Sequence, residues 1–141
     1  MGNTNWKSVL LGGVLAGIVF TVLGIIARMT YLPKVWIPAL EKEATAVFFN
    51  LLFIMWIVLG ILAVWLYSAI RPRYGAGVKT AAMAGLFVWV IGELFPDIQM
   101  TVFGLYPVNM FVAGGLTNLV SFVAGTIIGA WVYREHPPEK V

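Results

Sequence analysis

Four runs of this chain, at about 8–29, 44–70, 80–95 and 109–133, are built almost wholly from apolar residues. A bilayer's hydrocarbon core is about 30 Å thick, and roughly 20 helical residues cross it. Inside lipid every backbone N–H and C=O must find a partner within the protein, which leaves helices or closed barrels as the spanning structures. The runs lack the ten-residue alternation of barrel strands. The sequence therefore predicts an all-α membrane protein, a four-transmembrane-helix bundle forming a single membrane domain over 1–141. Composition agrees: 61% of the residues are hydrophobic and 11% charged, where soluble domains carry about a quarter charged.

Orientation follows from the segment Arg71-Pro72-Arg73-Tyr74-Gly75-Ala76-Gly77-Val78-Lys79, which holds no acid. With four spans, the N-terminus, this loop and the C-terminal tail share one side. That side carries Lys7, Arg71, Arg73, Lys79, Arg134 and Lys140, six cations against the three at Arg28, Lys34 and Lys42. Arg71, Arg73, Lys79 and Arg134 set the topology, and the excess places both termini in the cytoplasm. Trp6, Trp65, Tyr67, Tyr74, Trp131 and Tyr133 fall at the same interface, and Tyr31, Trp36 and Tyr106 at the opposite one. Pro72 is expected to stop the second helix, with the glycines making the turn. The first run is too long for a signal peptide and lacks an Ala-x-Ala cleavage site, so it reads as a retained span.

Two outer connections stand out. Pro33 and Pro38 bracket a segment within 30–43 that is expected to lie in the interface ahead of the second helix. Pro96 is expected to break the third helix, leaving 96–108 as an unusually apolar loop, either dipping among headgroups or docking another subunit.

The halves share markers. Lys7-Ser8 precedes Gly13 by the interval at which Lys79-Thr80 precedes Gly85, and the even-numbered spans end in Trp65-Leu66-Tyr67 and Trp131-Val132-Tyr133. The offsets are 72 residues between the lysines and 66 between the tryptophans. Two parallel repeats, 1–73 and 74–141, would give this pattern, related by an axis along the membrane normal. Interfacial convergence would give it too. Small residues recur every fourth position: Gly13, Gly17 and Thr21, flanked by Gly12 and Gly24, and Thr117, Ser121, Gly125 and Gly129. Because lipid tails are as apolar as leucine, membrane helices associate through close packing, which such stripes permit.

The segment from Trp65 to Ala81, of the form W-L-Y-x-A-I-R-P-R-Y-G-x-G-x-K-T-A, resembles one seen in short, uncharacterised bacterial four-span membrane proteins. The likeness extends to the Trp6-Lys7 start, the glycine-rich first span and the Trp131-x-Tyr133 end. It implies a bacterial inner-membrane protein and brings no activity or assigned site with it.

Chemistry has few places to sit. The chain has no cysteine and one histidine, His136 in the polar tail, which excludes thiol chemistry, thiolate-held metals and multi-histidine sites. No nucleophile–base set, phosphate loop or paired deep carboxylates are present, so no enzyme, metal or cofactor is expected. Nor is there a basic patch of the kind nucleic acid would require. Ionisable side chains inside a span are functional candidates by default. Counted from the basic ends at 1.5 Å per residue, Glu93 lies about 21 Å in, Asn118 about 24 Å, Asp97 about 27 Å, and Arg28 and Asn50 about 31 Å. One reading makes Glu93 a proton- or cation-coupling carboxylate with the asparagines as neutral ligands. The other pairs Arg28 with Asp97 or Glu93 and uses the asparagines as interhelical glue. The second is the weightier, since one deep acid makes a thin pathway. The expected role is a structural or accessory membrane subunit, in a homo-oligomer or larger membrane complex, with a small proton- or cation-coupled transporter or channel as the alternative.

Overall fold

The computed structural model describes residues 4–30 and 46–134, without the side chains of Arg28, Thr30 and residues 46–49. It is an all-α four-helix bundle. The elements are α1 (Trp6–Thr30), α2 (Ala46–Tyr74), α3 (Val78–Trp89), a π-helical turn (Val90–Leu94), α4 (Phe95–Val102) and α5 (Val108–Val132). Four stretches are long and apolar enough to cross a membrane: Trp6–Ala27, Asn50–Tyr74, Val78–Val102 and Val108–Val132. The chain is a multi-pass membrane protein. The interfacial segment expected within 30–43 lies outside the described residues.

Helix ends follow local chemistry. Ser8 N–H donates to Asn5 Oδ1 at 3.2 Å, capping the start of α1. Pro72 does not stop α2, which runs through it to Tyr74. The stop is Gly75, whose N–H donates to Arg71 O at 2.9 Å with φ at +85°, a conformation open to glycine. The turn is pinned from two sides: Thr80 Oγ1 donates to Gly75 O at 2.8 Å and Gly77 N–H to Tyr67 Oη at 3.4 Å.

Each of α1 and α3 packs against both α2 and α5, so α1 and α3 stand at opposite corners. One face of α1 meets α2 at bare backbone, with Gly13 against Gly60 and Ile61 and Gly17 against Trp56 and Ile57. The other meets α5, with Gly12 on Gly129 and Ala16 and Phe20 on Gly125. The stripe expected on α5 is thus split. Gly125 and Gly129 lie in the α1 contact. Thr117 and Ser121 line a groove of about 420 Å³ where α1 and α5 part toward the end away from the basic loop. A Cβ on Gly60 would collide with Gly13 O and with the Gly17 backbone. Phe20 and Phe122 stack across the α1–α5 seam, centroids 4.4 Å apart.

The two hairpins make matching contacts at the sequence offsets. Gly13 packs on Gly60, and Gly85, 72 residues on, packs on Thr126, which is 66 residues on from Gly60. Phe20 fills the space over Gly125; at the matching positions Leu59 fills the space over Gly92, with large and small exchanged between the helices. Tyr67 and Tyr133, a matched pair, meet edge to face at 6.0 Å.

Buried hydroxyls turn back on their own helices. Thr126 Oγ1 donates to Phe122 O at 2.7 Å, Ser121 Oγ to Thr117 O at 2.9 Å and Thr21 Oγ1 to Gly17 O at 2.9 Å. This local bonding satisfies them where water is absent. Overpacking a tight seam costs about 1–3 kcal/mol. Gly60→Ala is therefore expected to destabilise the bundle by about that amount in detergent unfolding. Gly115→Ala, where a Cβ meets nothing within 4 Å, is expected to stay within about 0.5 kcal/mol.

Candidate functional site

The third span does not break at Pro96. It continues as one helix to Val102 by passing through the π turn at Val90–Leu94. Proline lacks an N–H, and its ring crowds the carbonyl four residues back, here that of Gly92. The wider turn relieves that clash: Phe95 N–H donates to Val90 O, five residues back, instead of to Ile91 O. Hence Ile91 and Gly92 carbonyls lack the donors a regular helix would give them. Water would favour a break there, because it can bond the freed groups; in lipid the cheaper solution keeps every bond that can be kept. Glu93, half-buried, sits within this turn. Such single π turns recur at functional positions.

The segment 96–108, expected as a loop, is helical as far as Val102. It ends in a Schellman arrangement: Leu105 N–H donates to Met100 O and Gly104 N–H to Thr101 O, both at 3.0 Å, with Gly104 at φ +73°. Only the short stretch from Phe103 to Pro107 then connects to α5.

Register shows which polar candidates share a level. Gly85 contacts Thr126 on α5. Eight residues toward the far end from each lie Glu93 and Asn118, so the two face the same depth on adjacent helices. Phe20 over Gly125 sets α1 against α5 and brings the backbone of Arg28 to within a turn of that depth; its side chain lies outside the described residues. Asp97 stands four residues beyond Glu93, about 6 Å farther along. Asn50 is not gathered in. Leu59 packs on Gly92, and Asn50 is nine residues past Leu59, about 13 Å nearer the far end, where it is exposed.

Comparison with family models, with curated proteins and with solved structures finds no match to this chain. The site stands on its own geometry.

Two features of it are not among the sequence candidates. Trp89 Nε1, one turn before Glu93, is buried and has no hydrogen-bond partner among the described residues. A buried N–H without an acceptor is costly, and here it lies in the same stretch as two carbonyls short of donors. The π turn itself is the other. Its signal was present in the spacing, since Gly92, Glu93 and Pro96 put the missing donor opposite the glycine carbonyl. Among the described residues no group of three metal-binding side chains forms.

Pro96→Ala restores the N–H opposite Gly92. With Gly92 carrying a 13C carbonyl, its infrared amide band is expected to move to lower frequency in the variant as the bond forms. An unmoved band would mean that the carbonyl is already satisfied.

Proposed function

We propose that this chain is a small structural or accessory subunit of a bacterial inner membrane, non-enzymatic, with both termini and the central loop cytoplasmic. It acts through helix and loop contacts, as a homo-oligomer or within a larger membrane complex. The observation that carries this reading is the packing of the half nearer the basic loop. There Gly12, Gly13, Gly17, Gly60 and Gly129 bring backbones into contact, and the hydroxyls of Thr21 and Thr126 bond their own helices. Such a seam leaves one copy no room for a polar passage through the membrane. The resemblance of the Trp65–Ala81 segment to short bacterial four-span proteins supports the location. The excess of Lys and Arg supports the orientation. The matching contacts of the two hairpins support an internal duplication, 1–73 and 74–141, with parallel repeats.

A second reading is favoured by the π turn. Freed carbonyls beside an intramembrane carboxylate are the parts from which ion-coupled transporters build their sites, so a proton- or cation-coupled role centred on Glu93 is the alternative.

Purification in mild detergent with mass measurement tests the first reading. A stable assembly with another chain or with itself is expected. A strict monomer whose ion flux in liposomes is abolished by Glu93→Gln, with thermal stability unchanged, would overturn it in favour of the second.

A further inference from the structure

The basic end of the bundle carries more positive charge than orientation alone uses, and the fold concentrates part of it around one ring. Arg71, half-buried, holds its guanidinium over the Tyr133 ring, 5.6 Å from the centroid. Tyr133 is itself buried and braced edge-on by Tyr67. Arg134, the next residue, is exposed. The contact of Gly12 with Gly129 fixes how α1 lies against α5. Five residues toward the basic end from Gly12 is Lys7, and five from Gly129 is Arg134. Three helices thus deliver Lys7, Arg71 and Arg134 to one corner at one depth. The described acids, Glu93 and Asp97, belong to the other half of the bundle. Exposed Trp6 and Trp131 flank the corner, at the level where indoles mark the headgroup region.

Helix-end electrostatics do not use up this charge. The C-terminus of α5 presents the equivalent of about half a negative charge, a fraction of three cations. Arginine forks match phosphate oxygens in pairs, and a guanidinium held against a ring loses little further freedom on binding. We propose that this corner binds the phosphate of an anionic phospholipid headgroup, with Arg71 and Arg134 as its forked donors and Lys7 as a third cation. The lipid's own chains lie along α1 and α5, on the exposed apolar side chains Leu10, Leu11 and Val132.

The test uses delipidated full-length protein in mild detergent, with binding read by native mass spectrometry. The probes are phosphatidylglycerol, phosphatidylcholine and inorganic phosphate. Each basic residue near a membrane surface contributes roughly fivefold in affinity for anionic lipid. Phosphatidylglycerol is therefore expected to bind roughly a hundredfold more tightly than phosphatidylcholine. The doubly substituted Lys7→Gln/Arg134→Gln protein, altered only at exposed positions, should lose most of that preference with its melting temperature unchanged. Arg73→Gln/Lys79→Gln removes the same charge from the same end, away from Tyr133, and should keep most of it. Equal binding of the two lipids would overturn the proposal. So would an equal loss in the two double variants, which would mean diffuse surface charge, or displacement of the lipid by millimolar inorganic phosphate, which would mean a free-anion site.

Discussion

The bundle depends on backbone meeting backbone. In water, burial of side chains would hold helices together; in lipid that term is absent, and what remains is van der Waals contact and hydrogen bonding. Both grow as helices approach, and approach is limited by Cβ atoms. Gly12, Gly13 and Gly17 clear two faces of α1, and Gly60 and Gly129 clear the facing surfaces of α2 and α5. α1 is therefore the element on which the others are hung. α3, which meets its neighbours through Gly85 and Gly92, has fewer such places, and it is the span that departs from regular helix.

That difference between two otherwise matching hairpins bears on function. At corresponding places one seam uses Phe20 over Gly125 and the other Leu59 over Gly92. The exchange of large for small keeps both seams filled while letting the sequences diverge. It also places a glycine in α3 four residues before Pro96, where a π turn can form without a side chain in the way. The position in α1 that matches Glu93 is Thr21, whose hydroxyl is spent on Gly17 O. Under the proposed duplication, one hairpin kept a silent packing position and the other acquired a carboxylate and two loosened carbonyls. The accessory and coupling readings differ in whether that acquisition is used.

Much of this was legible in the residues. The four apolar runs fixed the class because lipid allows so few backbone solutions. The small-residue spacing pointed to the α1 seams, and Gly125 and Gly129 lie where that spacing put them. Prolines were read less well. Pro72 and Pro96 were expected to end helices, as they commonly do in water, yet both are carried within spans. The reason is the same in each case: a break would expose several backbone groups to hydrocarbon, whereas a lost donor or a widened turn exposes one or two. The stacking of Arg71 on Tyr133 was out of reach for a different reason. It depends on how α2 crosses α5, which no local pattern encodes. Asn50 was grouped with Glu93 by shared polarity, and register separates them.

The central claim is that a lipid-solvated bundle is locked by the antiparallel seam of α1 on α5 through Gly12 and Gly129. The chain contains no cysteine, so spin labels can be placed at residues 7 and 134 alone and their separation measured by pulsed electron resonance in bilayers. The labels should lie one helix spacing apart, a centre-to-centre distance of about 8–10 Å before label length is added. A separation approaching the ~30 Å thickness of the hydrocarbon core would contradict the seam and the architecture built on it.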